Sequence, residues 1–201
     1  MKHPIKFIVL LSALLGLGNA HASVITYQSR AINAGVNNLD YRASWANQTS
    51  AITTQTLTDF NQRMGGNNRF SYLKVDFSSN AGQMSFQLAV DATYGGVLYL
   101  DNQRVDYKPT DLWWGSPNNW ANTAELLTYT GPVNFGNHVL EVFWAENCCN
   151  GANSGRFSIN GGTTWQGFSN VNFAAVAAVP VPAAVWLFGS GLVGLMGLKR
   201  K

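Results

Sequence analysis

Residues 84–90 read MSFQLAV, and the alternation in them limits the fold more tightly than any other feature of the chain. Met84, Phe86, Leu88 and Val90 project to one side and Ser85, Gln87 and Ala89 to the other, which is the period of a half-buried strand. Leu73, Val75 and Phe77 repeat the pattern in SYLKVDF. Residues 97–100 and 104–107 flank Asp101-Asn102-Gln103 and read as a hairpin. Residues 139–144 form a nearly continuous apolar strand broken only by Glu141. Residues 156–159 and 163–168 are joined by Asn160-Gly161-Gly162, a strong turn signal. Between Tyr41 and Met64 the pattern is mixed and leaves room for a short helix over 56–63, capped by Thr58 or Asp59. Many short strands separated by turns predict an all-β chain, folded as an antiparallel β-sandwich.

The two ends carry a different message. MKHPIKFIVLLSALLGLGNAHA has a basic head (Lys2, Lys6), a short apolar run and an Ala20-His21-Ala22 exit. This is the layout of a secretory signal peptide, cut by signal peptidase between Ala22 and Ser23. The opposite end has Pro180 and Pro182, then an uncharged, mostly apolar run over 183–198, then Lys199-Arg200-Lys201. As a helix that run spans about 24 Å, against a hydrocarbon core of about 30 Å. Thinning of the bilayer and snorkelling of the flanking charges accommodate the shortfall. The basic cluster (199–201) is expected to stay cytoplasmic, leaving residues 23–178 outside. The organisation expected is a signal peptide (1–22), a β-sandwich domain (23–173), a linker with sorting motif (174–182), a transmembrane helix (183–198) and a basic tail (199–201).

The formal charge of +3 belongs to those ends. Five of the thirteen Lys and Arg residues lie in them, whereas all ten acidic residues lie between Asp40 and Glu146. The stretch between carries eight basic groups and a net charge of about −2, with no basic cluster, which argues against a nucleic-acid partner.

The C-terminal stretch Val179-Pro180-Val181-Pro182-Ala183, followed by Ala184-Val185-Trp186-Leu187-Phe188-Gly189-Ser190-Gly191 and the basic end, closely resembles the PEP-CTERM sorting signal of exopolysaccharide-producing Gram-negative bacteria. Val181 stands where the family's name has Glu. The resemblance implies recognition by an exosortase near Pro180–Ala183. It also implies export across the inner membrane, transient anchoring through the C-terminal helix, and delivery to the cell surface or biofilm matrix.

Residues 70–168 resemble the CCXG family of PEP-CTERM proteins. The matching elements are Gly95-Gly96 before Leu98-Tyr99-Leu100-Asp101, then Leu112-Trp113-Trp114, Gly136-Asn137-His138, Glu146 and Cys148-Cys149-Asn150-Gly151. A more distant likeness is to the protective-antigen and GLEYA-type adhesin sandwiches, which implies a jelly-roll or adhesin-like topology. Asp91 matches their first acidic position, but Ala92 stands where the calcium-binding adhesins have a second Asp. The loop over 146–155 takes the place of their sugar-contacting loop.

Cys148 and Cys149 are the only cysteines and are neighbours in the chain. Export to an oxidising compartment favours a disulfide between them. Adjacent Cα atoms lie about 3.8 Å apart across a trans peptide, short of the roughly 4.4–6.8 Å of ordinary disulfides. The ring is therefore strained, with a distorted or cis peptide expected, and it closes almost no chain, so it is a poor staple. Two uses lead, shaping a ligand-facing loop with a flat, polarisable sulfur surface or rigidifying a surface turn, and a disulfide linking two chains, reduced thiols and metal binding stay open beside them.

Candidate ligand contacts are Asp91, Asp101, Trp113, Trp114, Glu146, Asn147, Cys148, Cys149 and Asn150. Tryptophans in a sandwich usually pack the core, but an exposed indole beside Asn and Asp suits sugar stacking. Zinc is not expected, because the stretch between the targeting segments offers two cysteines and His138 alone. Calcium is open, with Asp91, Asp101, Asn147 and Asn150 as oxygen donors. No other cofactor is implied.

Catalytic arrangements are sparse. No G-x-S-x-G elbow surrounds a serine, and the neighbouring thiol would consume a cysteine nucleophile. Asp91, Asp101, Asp111 and Glu146 qualify as glycosidase acids by type only. The expected function is non-enzymatic: a surface or matrix protein whose sandwich binds polysaccharide. The alternatives are a structural matrix protein without a small ligand and a carbohydrate-active enzyme.

Overall fold

The computed structural model describes residues 22–115 and 119–177. The signal segment up to residue 21 and the sorting motif (Pro180, Val181, Pro182, Ala183), apolar run and basic tail lie outside them. Among the described residues no helix is long and apolar enough to cross a membrane.

The strands β1 (Val24–Ala31), β2 (Thr53–Leu57), β4 (Arg69–Ser79), β6 (Gly96–Leu100), β7 (Gln103–Lys108) and β9 (Gly136–Glu146) form one sheet in the order β2-β1-β4-β9-β6-β7. A second sheet runs β11-β10-β5-β8, from β5 (Gly82–Ala89), β8 (Leu127–Val133), β10 (Ala152–Ser158) and β11 (Gln166–Gly167). The short β3 (Arg63–Met64) pairs with β10, and all of these pairings are antiparallel. The expected β-sandwich is what the chain forms.

Alternation decides the core. Ile25, Leu73, Val75, Leu140 and Val142 face inward from the six-stranded sheet and meet Met84, Phe86, Leu88, Leu127 and Phe157 of the other. A strand with such a period buries its apolar set in one register only, because a slip of one residue would turn every apolar side chain to water. The hairpin β6–β7 turns on Asp101 and Asn102, whose φ values of 49° and 68° are those of a two-residue type I′ turn. Gly95, at φ 80°, leaves no room for a side chain: a Cβ there would lie 2.1 Å from the Lys108 carbonyl oxygen.

Two segments correct the sequence reading. No helix forms over 56–63. The β-branched threonines of β2 fit a pleated edge, and β1 supplies their ladder partners, from Ile25↔Leu57 to Ser29↔Thr53. The helix of this region is α1 (Tyr41–Asn47), capped by the Asp40 side chain, which accepts from the Ala43 N–H at 3.0 Å. Helix α2 (Asn170–Ala177) runs into the stretch expected as linker. It enters the core because Phe173 and Val176, three apart, share a face. Phe173 stacks on Phe157 at 4.4 Å and packs against Phe77 at 5.3 Å, closing one end of the sandwich.

Phe173→Ala should therefore cost about 3–5 kcal/mol of unfolding free energy. Urea denaturation checks this, and an unchanged midpoint would show that α2 is not part of the domain.

Candidate functional site

The site is built where β5 ends and where β9 crosses to β10. After β5 the chain pairs across to residues 111–113 through a two-hydrogen-bond bridge, Ala92 N–H to Leu112 O and back, each 3.1 Å. Ala92 and Leu112 point into the core. Side chains alternate, so Asp91, Thr93, Asp111 and Trp113 emerge together on the opposite face.

Glu146, the last residue of β9, lies buried beside them. Its Oε1 accepts from the Thr93 hydroxyl at 2.6 Å and from the Cys148 N–H at 2.6 Å, while Oε2 accepts from the Thr93 N–H at 2.8 Å. Three donors satisfy a carboxylate that burial alone would penalise. Asp91, also buried, accepts from the Gly151 N–H through Oδ2, and its own N–H donates to Asn153 Oδ1 at 3.0 Å. One carboxylate thus holds the entry of the cysteine loop and the other its exit.

Cys148 and Cys149 are bonded to each other and both exposed. Their Cα atoms are 3.8 Å apart, which is the trans spacing. Of the distorted or cis peptide expected, the cis form is not adopted. The constraint falls instead on Cys149, whose φ of 75° is left-handed. Beyond the disulfide the loop is sewn to residues 66–68. Asn150 Oδ1 accepts from the Gly66 N–H at 2.5 Å, the Asn150 N–H donates to Asn67 Oδ1 at 2.9 Å, and the Asn68 N–H donates to the Asn147 carbonyl at 3.0 Å. Gly151 must be glycine, since a Cβ would stand 2.5 Å from Asp91 Oδ2 and 2.8 Å from the Trp113 ring.

Asp91, Thr93, Asp111, Trp113, Glu146, Cys148 and Cys149 together line a cleft of about 360 Å³. Trp113 is 49 % exposed, and its backbone N–H donates to Glu125 Oε2 at 2.9 Å. A larger depression of about 480 Å³ beside β2 is lined by Thr56, Asp59, Asn61 and Arg63 among others, with no aromatic ring in its wall.

The cleft is acidic. Burial first, then the neighbouring Glu146 and Asp111 charges, push the Asp91 carboxyl up to about 6, against the opposing Gly151 hydrogen bond. Asp111 is raised as well, by burial and by Glu146 and Glu125.

Of the sequence candidates, Asp91, Trp113, Glu146, Cys148 and Cys149 converge on the cleft. Asn147 is exposed beside them, and the Asn150 side chain is committed to Gly66. Two candidates are displaced. Trp114 is 2 % exposed, donates to the Ala152 carbonyl at 3.0 Å and packs with Ala89 and Leu126, because its side chain alternates inward next to Trp113. Asp101 sits at the other end of β9, accepting from the Val139 N–H at 2.9 Å and paired with His138 Nδ1 at 2.7 Å. The calcium set of Asp91, Asp101, Asn147 and Asn150 is therefore not assembled. Among the described residues no group of three or more His, Cys, Asp or Glu is placed to hold a metal ion.

Thr93 and Asn153 escaped the sequence reading. Thr93 was findable by counting two residues on from Asp91. Asn153 lies inside a strand and carries no local signal.

No family model matches the chain, and no curated protein matches it. Among solved structures it is similar to the PA14 domain of the antifreeze protein MpAFP, at 12% identity over 73% of this chain and 87% of that one, with a TM-score of 0.55. It is also similar to the PA14 sugar-binding domain of an RTX adhesin (13% identity, 75% and 97% covered, TM-score 0.48). A further similar structure is the A domain of epithelial adhesin 6 from Candida glabrata with Galβ1-3GlcNAc (10% identity, 73% and 84% covered, TM-score 0.46). At 12% identity the first likeness shows a shared β-sandwich fold and nothing further.

The folded Asp91 pKa of about 6 exceeds its ordinary 3.8, so the native state binds this proton more tightly than the unfolded chain does. The resulting stabilisation is full below about pH 4 and is lost as pH rises through about 6. Asp91→Asn, which keeps an acceptor for Gly151, should gain roughly 1–3 kcal/mol over wild type at pH 7 and little at pH 4. Parallel urea titrations at the two pH values measure this, and a mutant offset independent of pH would contradict it.

Proposed function

We propose that this chain is an exported surface or matrix protein whose β-sandwich binds polysaccharide in the cleft beside the vicinal disulfide. The observation that carries the reading is Trp113, half-exposed in the wall of an acidic cleft with its backbone N–H bonded to Glu125. A pyranose presents C–H groups on its faces and hydroxyls at its rim. An indole is a large apolar face for the first, and the exposed Asp111 carboxylate accepts hydrogen bonds from the second. The exposed Cys148–Cys149 sulfurs add a polarisable wall to the cleft.

Binding rather than turnover fits the carboxylates. Glycoside hydrolysis uses two of them at the scissile bond. Here Glu146 is saturated by Thr93 and Cys148 and Asp91 is engaged by Gly151, so both serve the loop. Export rests on the sequence: the signal-type N-terminus and the PEP-CTERM-like tail make the chain a proposed exosortase substrate bound for the cell surface or biofilm matrix.

The test is binding of the exported protein to the producing organism's own exopolysaccharide. Saturable binding is expected, lost on mild reduction and weakened at least about tenfold by Trp113→Ala, equivalent to about 1.4 kcal/mol. The glycan should keep its length on prolonged incubation, and shortening would make the protein an enzyme. No binding in any condition would return the chain to a purely structural matrix role.

A further inference from the structure

The outer face of the four-stranded β11-β10-β5-β8 path holds an arginine in an unusual setting. Arg156 of β10 lies in register with Gln87 of β5, which in turn is opposite Thr128 of β8. Its guanidinium carbon lies 4.3 Å from the ring centre of Trp120 and 4.4 Å from that of Trp165. Both contacts are within cation–π range. Gln87 Oε1 accepts from Nε at 2.8 Å and from Nη2 at 2.6 Å.

Three features of this arrangement point the same way. First, Arg156 is half-buried, yet among the described residues no carboxylate lies within ion-pair distance of it. Burial accordingly lowers its pKa from the ordinary value. A cation removed from water without a counter-charge is an energetic debit that an incoming anion relieves. Second, a guanidinium has five N–H donors in a planar fork. Gln87 occupies the Nε–Nη2 side and leaves the Nη1–Nη2 edge, which also matches a carboxylate bidentately. Third, the surroundings are those of a saccharide site rather than a salt bridge. Two half-exposed indoles offer apolar surface, and Thr128 and the exposed Thr130 of β8 stand on the same sheet face as Gln87.

We infer that Arg156, Trp120, Trp165 and Gln87 form a second binding site, on the outer face of this sheet, for the carboxylate of an acidic saccharide such as a uronate. Gln87 holds the fork through Nε and Nη2 while the guanidinium carbon lies over the two indole rings. The uronate carboxylate takes the open Nη edge, and the sugar ring lies against the exposed indole surface. The choice of a saccharide as carrier of the carboxylate rests on the function proposed above, but the site shares no residue with the disulfide cleft.

The experiment titrates the full exported chain with oligogalacturonate, with a neutral galacto-oligosaccharide of equal length and with oligoglutamate, by calorimetry at low and high salt. Oligogalacturonate should bind at least tenfold more tightly than either of the others and weaken with salt. Arg156→Gln and Trp165→Ala should each reduce that binding at least tenfold. Arg156→Lys, which keeps the charge but loses the fork, should fall close to Arg156→Gln. Arg156→Gln should leave exopolysaccharide binding at the disulfide cleft unchanged, so failure of one site is distinguishable from failure of the other. Thermal melts identify any variant that fails to fold, and Trp165→Ala, at the margin of the sheet, then supplies the reading. Equal binding of uronate and neutral sugar, or wild-type binding by folded Arg156→Gln, would overturn the site. Equal binding of oligoglutamate would overturn the saccharide assignment.

Discussion

The Glu146 carboxylate, 3 % exposed at the end of the central strand β9, is the point on which the cysteine-loop end of this sandwich depends. A buried carboxylate is costly unless donors surround it, and truncating such donors exposes the full desolvation penalty. Glu146 receives the Thr93 N–H, the Thr93 hydroxyl and the Cys148 N–H. It thereby ties the segment after β5 to the start of the cysteine loop, across the gap between the two sheets. Asp91 repeats the device at the loop's exit through Gly151. The vicinal disulfide adds little chain entropy of its own. Its part is local: it fixes a left-handed residue at Cys149 between two anchored ends, so that the sulfurs face the cleft.

This arrangement holds a turn with exposed sulfur in place by anchoring its two ends on Glu146 and Asp91. Trp113 gains its position from the same framework. The Ala92–Leu112 bridge sets the alternation that turns Trp113 outward and Trp114 inward. The bare Gly151 gives Trp113 a surface to rest on. The cleft is acidic, whereas the outer face of the neighbouring sheet carries a guanidinium beside two indoles with no carboxylate in ion-pair distance among the described residues.

Much of the fold was legible in the sequence because strands announce themselves by period two. Leu73, Val75 and Phe77, and Met84, Phe86, Leu88 and Val90, all reached the core as the alternation required. The Asp101-Asn102 turn followed from its residue types. The helices were less legible. Residues 56–63 hold capping residues without a helical partner face, and β1 recruited the threonines before them into an edge strand. Helix α2 is too poor in polar residues to show an amphipathic face, so its small residues read as linker until Phe173 found Phe157. In the site, Asp91, Trp113, Glu146 and the cysteine pair were identifiable by chemical type. What could not be read was which partner each would have. Asp101 was drawn to His138, Trp114 to the core and Asn150 to Gly66, each through contacts distant in sequence.

The central claim is that the disulfide loop and Trp113 form one ligand-facing surface. The most direct measurement is a two-dimensional 15N NMR titration of the exported protein with oligosaccharides cut from the native exopolysaccharide. The Trp113 indole N–H and the backbone amides of Thr93, Cys148, Cys149 and Gly151 should shift together and saturate at one concentration, while the Trp114 indole, bonded to Ala152, moves little. Shifts confined to residues away from this cleft, or a Trp113 indole that stays fixed at saturation, would contradict the account.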